Sequence, residues 1–534
     1  MAEVKRLRRG LAGLCTAGAL VVLTACSGSS TPGTGGSSTA ASSLTDATNV
    51  KRGGTLTIAE SSPFPMDPAM ASPPFVLAAA YDSLIHQNVD NTYSPDLATS
   101  WSMSDGNRLF KLKLRKGVKF SDGTAMTADT VAASLKRIVK TPGPNGSIGP
   151  VKSVTAVGDD EVDVAYSKAV PESFAVNTFS QADNFGIIVG PTGTAKPSTL
   201  SKASDGVGPY KLDPSQSNSS KTTFIPNANY FNQKAIKFDK VVVTQIPDAT
   251  ARLNALRSGQ VDYVFDDGTA NAASAQSAGL QISQHGSLLP SLVLENRTSG
   301  PLAKLEVRQA IEYAVDRSAM IKSLFSGIGT AQSSVGIKGL GGYDKKNSDP
   351  YPYNVAKAKA LLKKAGYPNG LTISTLDFSQ QDANGSLAQA FASQLKAVGI
   401  TLKIHVISTG FTQFLTAISS KKYDAVVTNL PGNDIYTEYN QFLGKGTVGN
   451  GFGVVDSTVD QLMAAAGTAS ASEEDTAMQA ITNRIDQQAW IVSAGVIPTI
   501  DLAARNLVNI APDGSPNSQP YAFDPTAKSS WYLK

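Results

Sequence analysis

Residues 387–428 read LAQAFASQLKAVGITLKIHVISTGFTQFLTAISSKKYDAVVT, and two hydrophobic periods alternate within them. Leu387, Phe391, Leu395 and Val398 recur at helical spacing. Leu402, Ile404 and Val406 then alternate as a strand, with His405 on the opposite, polar face. Phe414, Leu415 and Ile418 predict a second helix, and Tyr423–Thr428 a second strand. Parallel strands need a crossover segment between them, so helix and strand alternating this closely imply βαβ units and a largely parallel sheet. The predicted fold class is α/β.

Working outward, the same punctuation recurs. Thr55-Leu56-Thr57-Ile58 alternates as a strand, and Phe110–Arg115 alternates apolar with basic residues, giving one dry face and one wet one. Turns follow at Lys116-Gly117 and Asp122-Gly123. Thr127 then reads as the N-cap of a helix carrying Val131, Leu135 and Ile138, with Lys136, Arg137 and Lys140 at its end, where the helix dipole favours cations. Val241–Val243 predicts a buried strand. Asp248 caps a helix with Leu253 and Leu256, and Gly259 ends it.

The chain has 534 residues, too many for one core, with 41% hydrophobic and 17% charged residues. Its net charge of +4 is concentrated at the N-terminus, where Lys5, Arg6, Arg8 and Arg9 face only Glu3. The remainder is close to neutral and has no interleaved basic and aromatic clusters, so no nucleic-acid partner is expected. Residues 1–25 read as an export signal: a basic start, then an apolar run too short to span a membrane stably. Leu23-Thr24-Ala25-Cys26 resembles a lipobox, which makes Cys26 the expected lipidation site. Residues 26–52, rich in Ser, Gly and Thr, are expected to be a disordered tether. The only cysteines are Cys15 and Cys26, which excludes a disulfide framework, a Cys-based metal site and a cysteine nucleophile in the mature body.

Several segments of the body resemble the family 5 extracellular solute-binding proteins, the dipeptide, oligopeptide and nickel-binding group. They are Pro95-Asp96-Leu97-Ala98 with Ser100-Trp101, the stretch Phe110–Ala128, Gly206-Val207-Gly208-Pro209-Tyr210, Asn227–Phe231, Val307-Arg308-Gln309-Ala310 with Ala314–Arg317, and Asn354–Gly370. They occur in order along residues 53–534.

The resemblance implies a two-lobed, type II Venus flytrap. Lobe 1 would take residues 53–295 plus 498–534, with an extra subdomain at about 75–204, and lobe 2 residues 296–497. Hinge crossings would lie near Glu295-Asn296-Arg297 and Gly495–Pro498, with the ligand between the lobes. It further implies a monomer on the extracytoplasmic face of the cell membrane, held there only by its lipid anchor. Such a protein passes a small-molecule or peptide ligand to an ABC permease and ATPase complex.

The site candidates follow the strands. Asn429–Tyr436 (NLPGNDIY) lies just after the Tyr423–Thr428 strand, where ligands gather in doubly wound sheets. By resemblance to peptide-binding relatives, Asp434 is expected to pair with a ligand amine, with Asn429, Gly432 and Tyr436 beside it. Asn429-Leu430 stands where those relatives have Gly-Trp. A second wall is expected from Phe64 and Met66 in the loop after the first strand.

His86, His285 and His405 show no metal-ligand spacing, and no nucleophile-elbow, phosphate-loop or H-E-x-x-H motif occurs, so neither catalytic residues nor a metal or cofactor are expected. Trp101, Trp490 and Trp531 are read as packing residues. A short peptide is the expected ligand; a metal chelate or sugar, or a surface-sensing role on the same fold, are the alternatives.

Overall fold

The computed structural model describes residues 44–534 apart from 63, 71–73, 142–147, 182–183, 266, 380–384, 409 and 511–521. The leader, Cys26 and most of the tether lie outside the described residues.

The stretch that opened the sequence reading folds as helix Ser386–Lys396, strand Ile400–Ile407, helix Phe411–Ser419 and strand Ala425–Pro431. Strand Leu371–Phe378 pairs in parallel with both strands, Leu371 opposite Ile400 and Thr375 opposite Ala425. Leu387, Phe391 and Leu395 are buried as the helical stripe requires. Val406 departs from its expected apolar role and is 57% exposed, near the end of the strand that is outermost in the sheet among the described residues.

Among the described residues one eleven-stranded sheet runs through both lobes. Its order is Ile400–Ile407, Leu371–Phe378, Ala425–Pro431, Gln281–Leu294, Ile497–Ala503, Tyr263–Val264, Thr55–Glu60, Lys240–Gln245, Lys221–Pro226 and Tyr210–Leu212, with Ile491–Ser493 paired to Gln281–Leu294 off this path. The predicted strands Thr55–Ile58 and Val241–Val243 are neighbours in it, Leu56 opposite Val241. Asp248 caps helix Ala249–Arg257, and Gly259 is left-handed at φ +74° just beyond its end.

Gln281–Leu294 is the strand that joins the lobes. Its residues 281–285 pair with Ile497–Ala503, and its residues 288–294 with Ala425–Pro431. The register breaks between His285 and Leu288, where Gly286 adopts φ +56°. The expected crossing at Glu295–Arg297 therefore falls at the far end of this strand, well past the break. Gln281–Leu294 is a single fourteen-residue strand with no loop between the part paired to Ile497–Ala503 and the part paired to Ala425–Pro431. The return crossing lies at Gly495–Ile497, where Gly495 has φ +126° and Val496 exchanges backbone hydrogen bonds with Thr330 at 2.8 and 2.9 Å.

A separate antiparallel sheet, ordered Ala98–Ser104, Leu109–Leu114, Glu161–Tyr166 and Val151–Val157, forms the body of the subdomain. Phe110, Leu112 and Leu114 are buried, while Lys111 and Lys113 face Asp163, Glu161 and Asp160 on the wet side. Thr127 and Thr130 form a capping box on helix Ala128–Lys140, which buries Val131, Leu135 and Ile138. Gly206 and Gly208 let this unit sit against the first lobe. A Cβ at either would stand 2.1 Å from the Ala80 carbonyl oxygen or 2.4 Å from the Ala80 carbonyl carbon.

The tether ends earlier than expected. Ala47 is fully buried, its N–H donates to the Lys528 carbonyl at 2.8 Å, and Thr45 N–H donates to Asn509 Oδ1 at 2.8 Å. Lys237 Nζ donates to the carbonyls of Ala47 and Val50 at 2.5 and 3.1 Å. Residues 45–50 are thus held by their backbone. Composition missed this because the docking needs one small side chain and carbonyl oxygens, not an apolar run.

Candidate functional site

The carboxyl ends of strands from both lobes converge on the break in Gln281–Leu294. From the first lobe, Tyr263–Val264 leads to Asp267, whose N–H donates to Ile500 O at 2.8 Å, and Thr55–Glu60 ends beside it. From the second, Ala425–Pro431 ends with Pro431 opposite Leu288, and Gly432 N–H donates to Ser287 O at 2.8 Å. Open α/β sheets bind ligands at this edge, and here two such edges face each other across one break.

Charge is concentrated there in buried pairs. His285 Nε2 lies 2.6 Å from Asp501 Oδ2, and the Tyr263 hydroxyl donates to the same carboxylate. Phe265 stacks on the His285 ring at 5.9 Å between centroids. Arg252 pairs with Asp267 at 3.3 Å, both nearly inaccessible. Burial, reinforced by the Asp501 charge, pushes the Tyr263 hydroxyl far above its ordinary range. Arg137 grips Asp67 in a two-point contact of 3.0 and 2.6 Å, fastening the loop after the first strand to the subdomain helix.

The six expected ligand residues separate into three groups. Phe64 and Met66 line a cavity of ≈ 200 Å³ in the first lobe together with Glu60, Thr222, Val243 and Gln245, and Met66 O accepts the Tyr81 hydroxyl at 2.9 Å. Asn429 and Gly432 stand at the break itself; a Cβ on Gly432 would lie 2.4 Å from Ser287 Cβ, so the close approach requires glycine. Asp434 and Tyr436 face the subdomain instead.

Asp434 is the N-cap of the short helix Ile435–Glu438. Its Oδ1 accepts Thr437 N–H at 3.0 Å and its Oδ2 accepts the Thr437 hydroxyl at 2.7 Å. Burial pushes this carboxyl up, and the Thr437 bonds hold it partly down. It borders a cavity of ≈ 480 Å³ between subdomain and second lobe, with Tyr93, Trp101, Glu474 and Met478. Trp101 is therefore a half-exposed wall residue, whereas Trp531 is buried against Tyr263 and Trp490 lies under Arg297.

Sequence reasoning missed the His285–Asp501–Tyr263 group. His285 was expected to be an unremarkable histidine, yet it is only 3% exposed. The available signal was Gly286 directly after it, a glycine inside a strand where a bulge or a close backbone approach is expected. Among the described residues, no group of three or more His, Cys, Asp or Glu could hold a metal, and no helix is long and apolar enough to cross a membrane.

Two lobes around a shared sheet, a subdomain on the first, and opposed strand ends define a type II binding-protein fold. Residues 92–450 match the bacterial extracellular solute-binding proteins, family 5 (middle), and the chain belongs to that family. Its members are binding proteins for ABC transporters rather than enzymes. Over 325 residues the chain is 28% identical to heme-binding protein A of Haemophilus influenzae, covering 54% of this chain and 57% of that protein. Over 327 residues it is 27% identical to the glutathione-binding protein GsiB of Shigella flexneri, covering 59% and 61%. The matches thus span about three fifths of those relatives' lengths.

Among solved structures, AgaA of A. tumefaciens R10 in complex with agropinic acid superposes with a TM-score of 0.74 at 25% identity, covering 90% of this chain and 99% of that one. DppA of Helicobacter pylori with the peptide STSA gives 0.73 at 22%, covering 90% and 98%, a likeness of fold.

Proposed function

We propose that this protein captures a small solute between its lobes on the extracytoplasmic side of the membrane and passes it to an ABC permease and ATPase. The observation that carries this reading is the convergence of strand ends from both lobes on the His285–Leu288 break, where one flexible point can bring two binding edges together. Phe64, Met66, Asn429 and Gly432 stand at those edges and are the residues we assign to the cleft. Asp434 is assigned first to capping the helix Ile435–Glu438, where Thr437 engages both its oxygens, and pairing with a ligand amine is its second role.

The ligand we favour is a short peptide. Similar proteins include a glutathione-binding protein and DppA in complex with the peptide STSA, and also a heme-binding protein and AgaA in complex with agropinic acid, so a non-peptide solute is the alternative. We assign Cys26 as the lipid anchor of a monomer. Cys26→Ser should release the protein from membranes, and metabolic fatty-acid labelling should mark the wild type alone.

The test of capture is small-angle scattering of ligand-stripped protein before and after addition of a defined mixture of tri- to pentapeptides. Compaction together with a bound peptide mass supports the reading. An unchanged radius of gyration with peptide bound contradicts closure, and no bound peptide directs the search to non-peptide solutes.

A further inference from the structure

The subdomain and the second lobe also meet directly, away from the strand ends. Strands Ala98–Ser104 and Leu109–Leu114 are joined by a turn in which Asp105, Gly106 and Asn107 all take left-handed backbone, at φ +53°, +57° and +62°. Asp, Gly and Asn are the residues that tolerate this conformation best, so the local sequence suits the turn. The turn carries the Asn107 side chain over to the second lobe. Its Nδ2 donates to Gly467 O at 3.1 Å and to Ala469 O at 3.2 Å, at the end of helix Ser457–Thr468.

A helix end leaves its last carbonyls without intrahelical donors. Here a side chain from one lobe satisfies them on a helix of the other. The surroundings are fitted to the same contact. A Cβ on Gly467 would stand 2.4 Å from Ala169 O, Phe174 meets the Tyr436 ring edge-on at 5.3 Å, and the Tyr436 hydroxyl reaches Ala169 O at 3.5 Å.

We propose that the Asp105–Asn107 turn is a closure clasp, and that Asn107 is an affinity-determining residue that never touches the solute. The covalent joins between lobes are the two strands that cross at the break, so the Asn107 bonds exist only while the lobes are together. Their strength sets the closed population, and a solute that needs the closed form is held in proportion to it. The inference rests on the two-lobe closure proposed above and on none of the residues assigned to the cleft.

The test needs no ligand. Fluorophores on Lys152→Cys and Lys396→Cys, in a mature chain carrying Cys26→Ser, report the distance between subdomain and second lobe by single-molecule energy transfer. Asn107→Gly keeps the left-handed turn and removes the amide. Asn107→Asp keeps the shape but sets a carboxylate against two carbonyls. Gly467→Ala adds a methyl against Ala169 O while improving helix propensity, so general loss of stability is not its expected effect.

All three should lower the closed-to-open ratio, by about 5- to 30-fold for Asn107→Gly, with Gly467→Ala leaving the melting temperature unchanged or higher. The same closed fraction in all four proteins overturns the clasp. Failure of the transport reading would show differently, as natively purified protein that carries no solute although its clasp responds to these substitutions.

Discussion

At the break in Gln281–Leu294 the two lobes share a backbone ladder, beside which the first lobe buries the His285–Asp501 contact, whereas at the Asn107 turn the subdomain and the second lobe share two amide hydrogen bonds and a ring contact. The difference teaches how one molecule can be firmly joined and still open. In the proposed closure, ladder bonds on either side of Gly286 persist while the chain rotates between them. The Asn107 amide and its two carbonyls can exchange each other for water at a net cost of about 1 kcal/mol per bond. Substitutions at the crossing should therefore act on stability, and substitutions at the clasp on the closed population.

The largest effect is expected at the crossing. His285→Leu leaves the Asp501 carboxylate, which is fully buried, without its imidazole partner, at an expected cost of about 3–5 kcal/mol in urea unfolding. A cost under about 1 kcal/mol would mean that the pair contributes little to holding the crossing.

Next comes a pH effect confined to the second lobe, which should leave both contacts alone. Asp486 is buried, accepts Val335 N–H at 3.0 Å, and burial pushes its carboxyl from 3.8 up to about 7. Its folded value lies above its unfolded one, so its stabilising contribution is complete below about pH 4 and is lost as pH rises through 7. Unfolding free energy should fall by about 2–3 kcal/mol between pH 5 and pH 8 from this group. Asp486→Asn should remove that part of the slope in urea melts taken across the range; an unchanged slope would assign the titration elsewhere.

Gly432→Ala should cost about 1–3 kcal/mol by forcing Ser287 away from the break, read by the same melts. If it instead widens the energy-transfer distances with no loss of stability, the crossing is softer than the clasp and the comparison is reversed.

The smallest effect separates the two meanings of Asp434. Asp434→Ala should cost about 1 kcal/mol as a lost N-cap, and Asp434→Asn nearly nothing, because asparagine caps as well. A large affinity loss in Asp434→Asn with unchanged stability would restore the amine-anchoring role expected from sequence.

Much of the fold was legible because its signals are local and periodic. Leu387, Phe391 and Leu395 reveal a helix, Thr127 a cap, and Gly259 a helix end, without knowledge of their partners. The site was legible only in part, for physical reasons. Phe64, Met66 and Gly432 could be named as candidates because they follow strand ends, a position readable from the sequence. Asp434 was expected to meet a ligand amine by resemblance to peptide-binding relatives, and its part in capping the next helix became visible only with the Thr437 bonds. The hinge expected near Glu295 follows the end of a continuous strand, and the register break at Gly286 within that strand carries no periodic signal in the sequence. Asn107 was overlooked because its partner lies 360 residues away along the chain.

The most direct test of solute capture is native mass spectrometry of the wild-type protein extracted gently from its own membranes. One small molecule per chain, released on denaturation, is the predicted result. Polypeptide and lipid mass alone, in preparations from cells grown on rich peptide-containing medium, would contradict it.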